Sequence, residues 1–522
     1  MTEATRSENV IEAAEERNLQ RSLSNRHIQL IALGGAIGTG LFLGSGETIS
    51  KAGPSILLVY AVIGFMLYFV MRAMGELLLH KLEYRSFQDF AADILGPWAG
   101  FFVGWTYWFS WVVIGMADVV AITGYWEYWL GEDWRWLAMV LTTAVMLALL
   151  VMNLASVKLF GEIEFWFAIV KLAAIVALVG VASFMVIVGF TSPDGTTASV
   201  SHPWSHRGMF PTKLAGFVNG FQLAVFAFVG IELVGTTAAE TANPRVTLPR
   251  AINAIPVRIL LFYVVALAAI MCVTPWNEIN PKISPFVSLF GLAGLAGAAG
   301  IMNAVILSSA SSSCNSGIYS TSRMLFGLAH KRMAPGGFRE LTRVGVPWRG
   351  LVVTVCVICS AHFLTLSSGL QSAFKIVVAL ASVLFLFVWS IILICHVVYR
   401  RRDPKAHATS EYKMPGSTVM PWVVLAFFVF ILVALTRDRD TLTALAVTPL
   451  WFGVLGLGWW RVRGVARAAA VNRPATAPPR RPRDGAGAPR PVQWSFRPPG
   501  ARASGPPSPC GPGSLGRGTR PA

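Results

Sequence analysis

Long apolar runs constrain this chain more than any other feature. Residues 55–71, 137–155, 165–190, 251–275, 349–367, 376–399, 418–436 and 443–460 are nearly uninterrupted hydrophobic sequence. A helix needs about 20 predominantly apolar residues to cross a bilayer core. Twelve segments fit that description: 27–50, 55–79, 98–128, 136–154, 159–189, 213–239, 251–275, 293–330, 349–369, 373–400, 418–436 and 443–461. Only 13% of the 522 residues are charged, against about 25% in soluble domains. Mean hydropathy is +0.59. A soluble enzyme and a disordered chain are both excluded. The expected fold class is an all-α integral membrane protein with twelve transmembrane helices.

The net charge of +17 is unevenly spread. The stretch from Arg461 onward holds twelve Arg and one Asp, residues 1–26 carry −1, and the body between them keeps about +7. The high pI therefore belongs mainly to the tail, and no nucleic-acid partner is expected. Residues 1–26 read as a polar cytoplasmic segment with no secretory signal, and 27–461 as the membrane domain. Residues 462–522, rich in Arg and Pro, read as a disordered cytoplasmic tail.

Basic residues orient the spans. They collect in alternate loops: His80, Lys81 and Arg85; Arg245 and Arg250; Lys331 to Arg349; Arg400 to Lys413. The opposite loops are short or charge-balanced, as in Glu132-Asp133-Trp134-Arg135 and Arg437-Asp438-Arg439-Asp440. The basic loops are expected in the cytoplasm, with both termini. Residues 84–96, YRSFQDFAADILG, read as a short amphipathic interfacial or re-entrant helix.

Two spans are interrupted by glycine. The first, HIQLIALGGAIGTGLFLGSG, carries Gly34, Gly35, Gly38, Gly40, Gly44 and Gly46. Unwound backbone is tolerated at membrane depth only beside a cavity or other protein. Such a break suits a carboxylate, because free amides and a positive helix end face it; close packing through small residues is the alternative. The sixth span, FVNGFQLAVFAFVGIELVGTTAAE, has Gly230 and Gly235 around Glu232. Paired broken spans at corresponding positions point to a transporter site. The glycines do not follow a strand or form GxGxxG, so a nucleotide site is not expected.

Ionisable residues inside a span cost about 3 kcal/mol on insertion scales, and so mark candidate sites. Lys171 sits well inside the fifth span; it either carries a transported proton or stands in for a cation, or else pairs with Glu164 on the same face. Glu232 either relays protons or braces the break. Asp118, in WVVIGMADVVAIT, either meets a substrate ammonium or proton, or links two helices. Arg72 and Glu76, spaced i,i+4, read as a structural ion pair. The serine run SSASSSCNSGIYSTS, residues 308–322, either lines an aqueous path or caps backbone.

Five of the six cysteines (Cys272, Cys314, Cys356, Cys359, Cys395) lie in apolar segments and Cys510 lies in the tail. No disulfide framework follows. His202 and His206 share a Pro-containing loop, and there is no HExxH, so no metal catalysis is expected.

The chain resembles the amino acid–polyamine–organocation superfamily, in its bacterial amino acid transporter branch, from about Asn25 to Arg461. The resemblance rests on NRHIQLIALGGAIGTGLFLGSG, AGPSILLVY, MRAMGELLL, GEIEFWFAIVK, FVGIELVGTTAAET, LPRAI and STSRMLFGLA, in that order. Within the branch, GWTYWFSWVVIGMADVVAIT, VTPWNEINPKISPFVSLF and VTPLWFGVLGLGWW resemble members that carry small neutral amino acids. The resemblance implies a leucine-transporter-type five-plus-five inverted repeat with helices 1 and 6 broken. It implies a proton-coupled symporter, not an enzyme, in a bacterial cytoplasmic (inner) membrane. The implied substrates are D-serine, D-alanine and glycine, with L-alanine and D-cycloserine. Protons and the lipid bilayer are then the partners; no cofactor, metal or obligatory protein partner is implied.

Carried over by motif, the substrate-binding residues are Gly35, Ala36, Ile37, Gly38, Thr39 and Gly40 in the first break and Phe226, Phe228, Gly230 and Ile231 in the second. Asp118 joins them, at the place of a glutamate in relatives that carry aromatic amino acids. Lys171 is the implied proton-coupling residue, and Glu232, carried over with the second break, is the other proton-coupling candidate on its mid-span charge. A related permease for aromatic amino acids or γ-aminobutyrate, or a sensor or channel on the same fold, are the alternatives. The long Arg/Pro tail departs from the branch pattern.

Overall fold

A computed structural model describes residues 37–471, except 85, 156, 194, 237–242, 295 and 296. The chain divides into units Met1–Asn472 and Arg473–Ala522, and the second lies wholly outside the described residues. So do residues 1–36, including the expected site residues Gly35 and Ala36.

Among the described residues the structure is helical, with one isolated β-bridge between Thr191 and Thr197. Eight helices are long and apolar enough to cross a membrane: Gly44–His80, Pro97–Leu130, Glu132–Ala155, Leu159–Ile187, Pro244–Val273, Trp348–Ser368, Leu370–Arg402 and Arg439–Gly464. The remaining expected segments differ for identifiable reasons. The first is described only from Ile37, and the sixth is broken after Phe228. Ala298–His330 is long but serine-rich, and Met420–Leu435 has 16 residues. The last helix continues to Val471, beyond the expected end at Arg461.

Burial sorts these helices into centre and rim. The apolar window of Pro97–Leu130 is 83% buried and that of Leu370–Arg402 is 78%, against 28% for Glu132–Ala155 and 22% for Arg439–Gly464. The outer helices show Val151, Phe184, Ile187, Phe363 and Leu457 to the surroundings. In water such a surface would aggregate; in hydrocarbon it is the favourable one. Pro97–Leu130 packs most extensively on Ala298–His330 and Leu370–Arg402. Gly317 makes part of that fit, since a Cβ there would lie 2.8 Å from the Trp111 ring.

The interfacial segment forms the helix Phe87–Ile94, closed by a capping box between Ser86 and Asp89. The seventh span is irregular. It begins at Pro244, turns at Ala254, and passes through a π-helical turn at Leu260–Val265. Turns of that kind are rare and often mark functional positions; this one carries Tyr263.

Arg72 and Glu76 do not pair among the described residues. Arg72 bonds Asn253 Oδ1 at 3.0 Å and the Lys413 carbonyl, and lies over the Tyr412 ring at 3.8 Å. Glu76 is held by His396, His407 and the Met414 N–H. The i,i+4 spacing put both on one face, but distant partners captured each side chain.

Candidate functional site

The two breaks meet at the centre of the bundle. In the first, Gly38 is extended (φ −126°, ψ −160°) and a helical turn starts at Thr39. The first N–H groups of a helix have no acceptor within it, which leaves this backbone available to a ligand. The serine-rich helix supports the break from one side: Ser309 Oγ donates to the Ile37 carbonyl at 3.2 Å, and Ser313 lies against Gly38. Ser284 Oγ donates to the Phe42 carbonyl at 2.7 Å.

In the second break, helix Lys213–Ala224 tightens to a 3-10 turn at Val225–Phe228 and then extends through Val229. Gly230 has φ +101°, a conformation that side chains other than glycine rarely adopt. Glu232 Oε2 accepts a hydrogen bond from the Gly230 N–H at 3.1 Å, fixing that reversal. Its Oε1 is buried, and the Trp389 indole also faces the carboxyl. Tyr263 Oη donates to the Ala227 carbonyl at 2.8 Å, and its ring stacks on Phe228 at 5.2 Å. Tyr60 flanks the same pair. Such aromatic pairs contribute about 0.5–1.5 kcal/mol each, so Phe228 anchors the break.

The breaks touch at Gly40. A Cβ built there would sit 2.7 Å from Ala227 Cα, 2.8 Å from Phe226 Cδ1 and 2.9 Å from Ala227 N. Around this contact lies a cavity of about 10 Å³, lined by Gly38, Thr39, Gly40, Trp111, Ile114, Phe226, Ala227, Val229 and Ser313. That is room for about one water.

Of the expected binding residues, Gly38, Thr39, Gly40 and Phe226 line this cavity. Ile37 is not a lining residue; its carbonyl accepts from Ser309 Oγ. Asp118 stands one residue back: it is fully buried, and Oδ1 accepts from Thr39 Oγ1 at 3.0 Å. Its Oδ2 is buried, and the Ser313 hydroxyl also faces the carboxyl. Phe228, Gly230 and Ile231 are not among the lining residues. Trp111 and Ile114 were missed, although they share a helix face with Asp118, seven and four residues earlier.

Lys171 lies in a separate buried network. Its Nζ donates to Ser312 Oγ at 2.9 Å, and Ser312 Oγ donates to Glu164 Oε1. Asn315 Nδ2 donates to Glu164 Oε2 at 3.4 Å, and Asn153 Nδ2 donates to Asn315 Oδ1 at 2.7 Å. Glu164 and Lys171 are thus joined through a hydroxyl from another helix. The serine-rich helix shows two faces: Ser309 and Ser313 to the first break, Ser312 to Lys171 and Asn315 to Glu164. It touches both the cavity and the buried charge without an intervening element.

One end of the bundle carries a charged cluster. Glu47 pairs with Lys375 at 2.9 Å and Lys51 at 3.5 Å; Lys51 also pairs with Asp438 at 3.1 Å. Burial pushes the Asp438 carboxyl up, but the Lys51 ammonium outweighs it and holds the group below the usual carboxylate value.

The family described as amino acid permease matches residues 27–467. The chain is 57% identical over 463 residues to the D-serine/D-alanine/glycine transporter of Escherichia coli strain K12, covering 88% of this chain and 98% of that protein. It is 48% identical over 444 residues to amino-acid permease AapA of Bacillus subtilis, covering 84% and 94%.

Proposed function

This chain belongs to the amino acid permease family, and from that premise we propose that it is a proton-coupled symporter importing D-alanine, D-serine and glycine, with L-alanine and D-cycloserine. Family and relatives are transporters, not enzymes. The observation that carries the substrate class is the 57% identity to the E. coli D-serine/D-alanine/glycine transporter along nearly its whole length. The tight cavity supports it. With Trp111, Ile114 and Phe226 as walls and two backbones as floor, a small side chain needs the least opening.

The molecule sits in the bacterial inner membrane. Twelve helices cross it, the first ten as an inverted five-plus-five repeat, with both termini and the basic loops in the cytoplasm. Residues 1–26 and 462–522 flank the transport domain. The Glu47–Lys51–Lys375–Asp438 cluster then faces outward and closes that side.

The zwitterion's carboxylate meets the amides at Gly38–Gly40, in a segment that begins at Gly35 and Ala36. Its ammonium meets carbonyls of the two breaks, with Thr39 and Asp118 beside them. Lys171 takes and releases the coupled proton, passing its state to the first break along the serine-rich helix. Glu232 sets the second break and is the other proton-coupling residue.

The test is uptake of labelled D-alanine by purified protein in liposomes, with and without an inward proton gradient. Gradient-dependent uptake blocked by glycine and D-serine, but not L-phenylalanine, is expected. Vesicles that transport another amino acid but not D-alanine would reject the substrate assignment while keeping the family.

Asp118→Asn keeps the shape and removes the charge. A hydrogen bond to a charged group is worth about 1.5–3 kcal/mol, so the half-saturating D-alanine concentration should rise about 10-fold or more. Maximal exchange should change less. An unchanged half-saturation value takes Asp118 out of substrate binding.

A further inference from the structure

At the end of the bundle opposite the Glu47–Lys51 cluster, three side chains from distant parts of the sequence converge. Glu76 is near the end of helix Ile56–His80, His396 near the end of helix Leu370–Arg402, and His407 in the short helix Pro404–Thr409. Glu76 Oε2 lies 3.0 Å from His396 Nε2, and Glu76 Oε1 lies 2.6 Å from His407 Nδ1. One ligand atom from each residue can be chosen so that all lie within 4.8 Å of one another.

We propose that Glu76, His396 and His407 form a binding site for one divalent transition-metal ion of the zinc class. Two imidazole nitrogens and one carboxylate oxygen are a donor set that such ions favour, with a fourth position left to water. Metal–nitrogen bonds of about 2.0–2.1 Å in a tetrahedron place ligand atoms about 3.4 Å apart. From the present spacing, the Glu76 oxygens would move out from 3.0 and 2.6 Å, and any ligand pair now as far apart as 4.8 Å would draw in to reach that geometry.

Outer partners orient two of the three ligands, whereas His396 Nδ1 is buried without a hydrogen-bond partner among the described residues. The Met414 N–H donates to Glu76 Oε2 at 2.8 Å, and Ser417 Oγ lies 3.2 Å from His407 Nε2. Partners of this kind fix the ring and carboxylate directions in metal sites. Glu76 and His396 side chains are fully buried, whereas His407 is 17% exposed. An ion therefore enters past His407. Once bound, it ties three chain segments together, including two of the membrane-crossing helices. Resting on the transport reading above, an ion that fixes these helices slows alternating access.

Binding is read first, without transport. Tag-free protein is stripped with chelator and titrated with Co2+. One equivalent should give the visible d–d absorption of a four- or five-coordinate site, and Zn2+ should erase it. His407→Asn lies on a half-exposed short helix and should leave the fold intact, as judged by size exclusion and thermal melting. His396→Gln is the second variant. Loss of outer-shell partners weakens metal sites about 10–100-fold, and loss of a direct ligand should do at least as much. No absorption beyond that of aqueous Co2+ overturns the site, as does a signal that survives both substitutions. In liposomes, Zn2+ reaching the His407 side should slow D-alanine uptake in the parent and spare His407→Asn. Binding without inhibition would retain the site and discard the clamp; inactive liposomes with intact Co2+ binding would count against the transport reading alone.

Discussion

Lys171→Met is expected to abolish proton-driven accumulation of D-alanine while one-for-one exchange of labelled for unlabelled substrate continues. The two side chains are similar in length, so the main change is loss of the charge and of the donor to Ser312. Accumulation needs a group that binds and releases the coupled proton in step with the helix movement. Exchange needs only a site that opens to both sides. A purely structural lysine would fail differently. Breaking a buried charge pair by removing one partner costs about 3–5 kcal/mol, because the other charge is left uncompensated. Glu164, joined to Lys171 through Ser312, would be that stranded charge. The double variant Lys171→Met, Glu164→Gln removes both charges and should recover stability and yield. If it also recovers pH-driven accumulation, Lys171 has no part in coupling. If it recovers stability alone, the coupling role stands apart from the structural one.

This network also marks the limit of what the sequence reveals. Hydropathy and length made most helices legible, because each has to satisfy its own backbone in hydrocarbon. Glycine placement located both breaks, and mid-span charge singled out Asp118, Lys171 and Glu232, all of which are fully buried. What stayed hidden was partner choice. The Lys171–Glu164 relation looked like a pair on one helix face, yet Ser312, more than a hundred residues away, is shared between them. Arg72 and Glu76 looked like a pair and went to separate partners. Local spacing says which face a side chain is on; only tertiary packing says what occupies that face. Phe226 and Phe228 show the same limit in the 3-10 turn just before the break. Two residues apart, one lines the cavity and the other stacks on Tyr263. The switch from α-helix to a 3-10 turn changes the period there, and the α-helical period no longer predicts which goes where. Trp111 was recoverable, since it lies on the Asp118 face of a regular helix.

The second large effect is expected at Gly40. Gly40→Ala should reduce uptake to the level of protein-free vesicles. The added methyl would meet backbone atoms of the other break, Ala227 Cα at 2.7 Å and Ala227 N at 2.9 Å. A flexible side chain could turn away; these atoms move only if the break moves. Overpacking of this kind typically costs about 1–3 kcal/mol, which a membrane helix bundle can survive. The protein should therefore still insert and purify, but with the breaks pushed apart and their amides and carbonyls out of register around the substrate. Gly38→Ala provides the contrast. Its Cβ would lie 3.4 Å from Ser313 Oγ and 3.6 Å from Ser313 Cβ, ordinary contacts that leave the backbone in place. That methyl instead takes up space beside a cavity already near its minimum size. Uptake should persist, with glycine favoured over D-alanine and D-serine relative to the parent. Full activity in Gly40→Ala would mean that the breaks do not need this close approach. An unchanged substrate ranking in Gly38→Ala would mean that the cavity beside Ser313 does not receive the substrate's side chain.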